Sequence, residues 1–171
     1  MVRIPYPDED APNEPSATGR ELNIARMTRH FPPAMLAGFQ AFGKGILSND
    51  VLDDTLRELA ILRVAHVSGS KYERYQHEHY ARKRGVDEAK IAASGGDTHD
   101  AAFTPRESAL LTFVDEIVCN VRASGDSLEA LQRHLSSAQI VTLMGTVGQY
   151  MMLARIIETS DIEIEEPPVM L

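Results

Sequence analysis

The stretch Arg57-Glu-Leu-Ala-Ile-Leu-Arg-Val-Ala65, followed beyond Gly69 by Ser70-Lys-Tyr-Glu-Arg-Tyr-Gln-His77, decides the reading of this chain. In its first half Leu56, Leu59, Ala60, Leu62 and Val64 cover so much of a helical surface that the helix must be buried on more than one side. Asp53 or Asp54 can cap it, and Gly69 supplies the C-terminal stop. The second half continues to Arg84, is far more polar, and ends at Gly85. A short glycine-containing link lets two such helices pack antiparallel.

Helical signals continue on both sides. Thr18-Gly-Arg-Glu21 fits a capping box, and the helix it opens should stop near His30 because Pro32 pushes Phe31 out of helical space. Pro33 suits a first turn, with Met35, Leu36, Phe39 and Phe42 at helical spacing and Gly43 and Gly45 weakening the end. A short helix is expected at 87–93. Thr104-Pro-Arg-Glu107 is a strong start signal for the apolar run through Val121. Ser127 can cap 128–135, and Ser136-Ser-Ala-Gln139 opens a last long helix to about Glu158. No period-2 pattern persists. The expected fold is all-α: one compact domain of six to eight helices over 18–160, flanked by a proline-rich arm (1–17) and an acidic tail (161–171).

Composition narrows the function. The 171 residues are 43% hydrophobic, enough for a real core. Acidic residues outnumber basic ones 25 to 17, for a net charge of −8, which argues against a nucleic-acid partner. The single cysteine, Cys119, cannot close an intramolecular disulfide, so a reducing cytoplasm is expected. No uninterrupted apolar run approaches the roughly 20 residues that span a bilayer, and the N-terminus lacks a signal-peptide core, so no membrane role is expected.

The chemistry-bearing residues are Glu58, Glu73 and His77. Glu73 and His77 are four apart and share a helix face; Ser70 lies near it, and antiparallel packing can bring Glu58 to it. A carboxylate beside an imidazole fixes its tautomer and allows proton transfer next to a carbonyl. The same spacing also suits a solvated i,i+4 ion pair. It matches helical metal-ligand spacing as well, but there is no His-Glu-x-x-His motif or Cys–His cluster, and no metal or other cofactor is assigned. His30, in the loop before Pro32, can line a pocket; Arg63, on an apolar helix, needs Glu58 or a substrate carboxylate as partner; Arg74 or Lys71 can hold a substrate anion.

Residues 12, 15 and 19 after Glu58 are Ser70, Glu73 and His77. This frame, with Ala81 and Gly85 beyond it, resembles the carboxymuconolactone decarboxylase / alkylhydroperoxidase D-like family. There the redox-active branch carries Cys-x-x-Cys at the first two offsets and His at the third. Stretches around Phe103–Leu111 and Gly148–Arg155 resemble the family's second half. Non-redox members commonly have Tyr-Glu-Trp where this chain has Tyr72-Glu73-Arg74, a change that makes the pocket more polar. The resemblance implies an all-helical protein that assembles into trimers or hexamers. It implies lyase or decarboxylase-like chemistry on a small carboxylated or lactone-type molecule, with His77 moving the proton, Glu73 orienting it and Glu58 as second acid/base. A non-catalytic small-molecule-binding oligomer is the alternative. Peroxide reduction would lack its dithiol, because Ser70 and Glu73 stand at the cysteine positions.

Overall fold

The structure, a computed structural model, describes residues 2–7 and 21–165, and among these it contains eight α-helices and no strand. They are α1 (Asn23–Thr28), α2 (Pro33–Ser48), α3 (Asp54–Val67), α4 (Lys71–Lys83), α5 (Glu88–Ala93), α6 (Pro105–Asn120), α7 (Gly125–Gln132) and α8 (Ser137–Ser160).

Helix α3 is the axis of the molecule. Asp53 caps it through the amides of Thr55 and Leu56, and it ends at Ser68 before Gly69, whose φ of +71° suits the residue without a side chain. Every residue from Leu56 to Ala65 is buried, because α4, α6 and α8 all pack on it. Leu59, Leu110, Leu111, Leu131 and Leu143 form the centre of the core. Loss of one such side chain costs about 2–5 kcal/mol. A helix buried all round must also bury its charges, and α3 carries Arg57, Glu58 and Arg63 inward.

Several caps fall where the sequence places them. Thr104 with Glu107 and Ser136 with Gln139 both form capping boxes, and Ser70 caps α4. Others move. The Thr18 box lies outside the described residues; α1 starts at Asn23 without a side-chain cap, and Glu21 pairs with Arg29 instead. Gly43 and Gly45 do not end α2, which runs on to Ser48. Helix α7 begins three residues earlier than expected, because Ser124 rather than Ser127 offers its hydroxyl to the first turn.

Two further features concern the last helix and the segment after it. Helix α8 is long and apolar enough, at a mean hydropathy of 1.4 over its best window, to cross a bilayer by length and composition. Scanning for uninterrupted apolar runs misses this, since its polar residues are small and scattered. Its buried positions Ile140, Leu143, Val147, Tyr150, Ala154 and Ile157 recur at helical spacing and pack on the core. Residues 161–165 form no regular structure, yet they fold back over α1 and α4 after Asp161 turns left-handed. Arg3 holds this return, donating its amide to the Ser160 carbonyl at 2.8 Å and pairing with Asp161 at 2.7 Å. Ile162 is buried against Met27, Tyr72 and Ile157.

Candidate functional site

Helices α3 and α4 meet along a pocket of about 150 Å³. Glu58 enters it from α3; Tyr72, Glu73, Gln76, His77 and Tyr80 enter from the inner face of α4; Tyr150 comes from α8. Leu22, Ile24, Leu47, Leu153 and Ile157 supply an apolar wall, and Lys83 and Arg84 stand at the end of α4.

His77 is 6% exposed, and its Nδ1 lies 2.8 Å from Oε2 of Glu58, itself 2% exposed. With Nδ1–H donated to the carboxylate, the neutral ring's lone pair is on Nε2, the nitrogen left to the pocket. Tyr80 and Tyr150 set their rings edge-on to the imidazole, at centroid distances of 5.2 and 4.8 Å. The ring is therefore fixed on both flanks and at one nitrogen.

Glu73 is differently placed. It is 3% exposed, and neither carboxyl oxygen meets a hydrogen-bond partner among the described residues. Burial, reinforced by the charge of Glu158, pushes its carboxyl up to about 8. Glu73 is thus a neutral acid at pH 7. This changes the expected division of labour: the residue aligning His77 is Glu58, not its i,i+4 neighbour. A buried imidazole N–H seeks an ionised acceptor, and Glu73, kept neutral, is the poorer one.

The other sequence candidates go elsewhere. Ser70 is buried and its hydroxyl oxygen accepts from the Glu73 backbone amide at 3.5 Å, as the α4 cap. Arg63 does not line the pocket. Its Nη2 donates to Asp115 at 2.6 Å, and its Nη1 donates to the carbonyls of Ser94 and Gly96 at 3.0 and 2.7 Å. This guanidinium ties α3 to α6 and to the loop after α5. Arg74 is exposed and pairs with Glu78 at 2.9 Å. His30 lies at the surface with Nε2 2.8 Å from the Pro5 carbonyl. None of the three lines the pocket. Among the described residues, no three His, Cys, Asp or Glu side chains cluster as metal ligands. Cys119 is exposed and outside the pocket.

Sequence reasoning missed the tyrosines, Gln76 and above all Glu165. Tyr80 and Gln76 are legible on a helical wheel around His77, whereas Tyr150 and Glu165 have no local signal. Glu165, 2% exposed, accepts from the Tyr72 hydroxyl at 2.8 Å, from the Gln76 side-chain amide at 2.7 Å and from the Asn23 backbone amide. Tyr72 and Gln76 line the pocket, so the returning C-terminal segment fastens its wall. With a carboxylate as its partner, and buried, the Tyr72 hydroxyl is held above the usual phenol range.

Residues 33–116 match the carboxymuconolactone decarboxylase family. None of the curated proteins matches the chain in sequence. Solved structures share its fold. A protein of unknown function from Agrobacterium tumefaciens, a candidate antioxidant-defence protein AhpD, is 23% identical with a TM-score of 0.74, over 81% of this chain and 94% of that one. The debrominase Bmp8 in complex with 2,3,4-tribromopyrrole is 18% identical with a TM-score of 0.74, over 84% and 76%. An uncharacterised peroxidase-related protein from Silicibacter sp. TM1040 is 15% identical with a TM-score of 0.74, over 84% and 76%. The stretch that holds Glu58, Glu73 and His77 thus lies within the match to the carboxymuconolactone decarboxylase family, and the all-helical fold is shared with the solved structures above.

Proposed function

We propose that this protein is a lyase of the decarboxylase type that moves a proton at a carbon next to a carbonyl in a small carboxylated or lactone-type molecule. The supporting observation is the buried Glu58–His77 hydrogen bond of 2.8 Å at the wall of this pocket. In the decarboxylating direction the bond to the carboxylate carbon breaks, carbon dioxide leaves, and the electron pair passes through the adjacent carbonyl as an enolate. His77, entering this step protonated at both nitrogens, then gives the Nε2 proton to carbon and is left as the neutral Nδ1–H ring. In the reverse sense, Nε2 takes a proton from carbon. Glu58 holds the ring's tautomer, and neutral Glu73 is a second proton source. No cofactor is needed for these steps. Thiol chemistry has no support: Ser70 and Glu73 occupy the cysteine offsets and Cys119 is outside the pocket.

The reading includes a homotrimer or hexamer. An apolar groove of about 540 Å³ between α2 and α8 is lined by Phe31, Met35, Phe39, Phe42 and Met152, with Met35 and Phe42 half-exposed. A patch of this kind is costly to leave in water. The reading also places the protein in a reducing cytoplasm, which the single cysteine supports.

The test is turnover on a panel of small lactones and β-keto acids, followed by carbon dioxide release. His77→Ala should lower the rate by about 10²–10⁴-fold with helical content intact. Cys119→Ser should leave it unchanged. Full activity in His77→Ala, or loss in Cys119→Ser, overturns the proposal.

A further inference from the structure

Tyr150 lies in the middle of α8, far in sequence from the Glu58–His77 frame, yet its ring stands at 89° to the His77 imidazole with centroids 4.8 Å apart. It is 7% exposed and lines the pocket. A buried tyrosine ordinarily hydrogen-bonds its hydroxyl. This one meets no hydrogen-bonding protein group among the described residues. Unlike the carboxyl oxygens of Glu73, it is not sealed within the protein interior either.

We propose that the Tyr150 hydroxyl receives the ligand's oxygen, donating a hydrogen bond to a carbonyl that becomes an enolate. The ligand class follows: a molecule of about one six-membered ring, the size a cavity of about 150 Å³ admits, carrying a carbonyl, enolate or phenolate oxygen. The proposal rests on the proton-transfer reading of the preceding section. As Nε2 of His77 takes a proton from carbon, the C–H pair becomes the new C=C bond. The carbonyl π pair moves onto oxygen, and the Tyr150 O–H is directed at the charge that appears there. No electron enters or leaves. Burial first, and then the Glu58 carboxylate, joined by Glu73 once that is ionised, hold the Tyr150 phenol above its usual range, so it remains a donor wherever the site works. Preorganised donors aimed at a developing oxyanion are among the strongest catalytic devices.

The test uses Tyr150→Phe, which keeps the ring and removes only the oxygen. The probe is 4-nitrophenol, whose visible band separates phenol from phenolate, with toluene as an oxygen-free control. The wild-type protein should bind the phenolate, and Tyr150→Phe should bind it about 10–100-fold more weakly, the value of one hydrogen bond to a charged oxygen. Toluene affinity should be equal in both proteins. Equal nitrophenolate affinity in both, or no binding by wild type, overturns the assignment of Tyr150. The proton-transfer reading fails separately, if His77→Ala retains turnover while Tyr150→Phe still loses nitrophenolate.

Discussion

Oε2 of Glu58 and Nδ1 of His77 lie 2.8 Å apart, on adjacent antiparallel helices and 19 residues apart in sequence. This contact determines which imidazole nitrogen faces the pocket. Nitrogen-15 NMR should therefore show neutral His77 as a single Nδ1–H tautomer in wild type. In Glu58→Ala the preference should collapse toward a mixture, with a stability loss of about 1–3 kcal/mol for the partner left buried. An unchanged tautomer would remove Glu58 from the mechanism.

Glu73 makes stability depend on pH. Its carboxyl ionises near 4.5 when unfolded and near 8 when folded, so the native state binds more protons between those values. Its contribution is fully present below about pH 4.5 and is lost as pH rises through 8. The unfolding free energy of wild type from urea titration, relative to Glu73→Gln, should fall between about pH 5 and pH 8.5 by on the order of a few kcal/mol. A pH-independent difference would mean that Glu73 is ionised in the folded protein throughout.

Arg63 is structural. Arg63→Met should cost about 2 kcal/mol or more by leaving Asp115 and two carbonyls without their donor. The His77 tautomer and nitrophenolate affinity should not move, because the guanidinium reaches none of the pocket. A change in affinity without a change in stability would return Arg63 to the list of binding residues.

Glu165 and Tyr72 should couple. Glu165→Gln places an amide where two side-chain donors and a backbone amide converge, and Tyr72→Phe removes one of those donors. In a double-mutant cycle the pair should show an interaction energy of about 0.5–3 kcal/mol. Strict additivity would mean that the C-terminal return is loosely held in solution.

The groove between α2 and α8 gives an assembly test. Light scattering at micromolar concentration should report a trimer or hexamer, and Phe42→Asp should shift the mass downward. A monomeric wild type would remove the oligomer from the proposal.

Local signals reported local structure well. The capping boxes at Thr104 and Ser136, the Gly69 stop and the uninterrupted burial of α3 are each written within a few residues of chain, and so is the helical face that carries Glu73 and His77. What escaped depends on distance in sequence. Which carboxylate bonds His77 depends on how α3 packs on α4, since Glu58 reaches the ring from across the helix pair. Arg63 found Asp115 on a helix whose packing no local pattern announces. Tyr150 and Glu165 reach the pocket only through the tertiary fold. Helix starts erred where several serines competed, as Ser124 did with Ser127.

The bond from the Asn23 amide to Glu165 spans 142 residues. During synthesis, α3 and α4 can associate soon after they emerge, since their contacts are close in sequence and domains form from the N-terminus onward. The pocket wall cannot be completed then, because the carboxylate that secures it lies 89 residues beyond Gln76. A nascent chain would therefore carry Glu58 and His77 beside an unfinished wall until residue 165 has emerged, and a prematurely terminated product lacking that residue would keep the reactive pair without it.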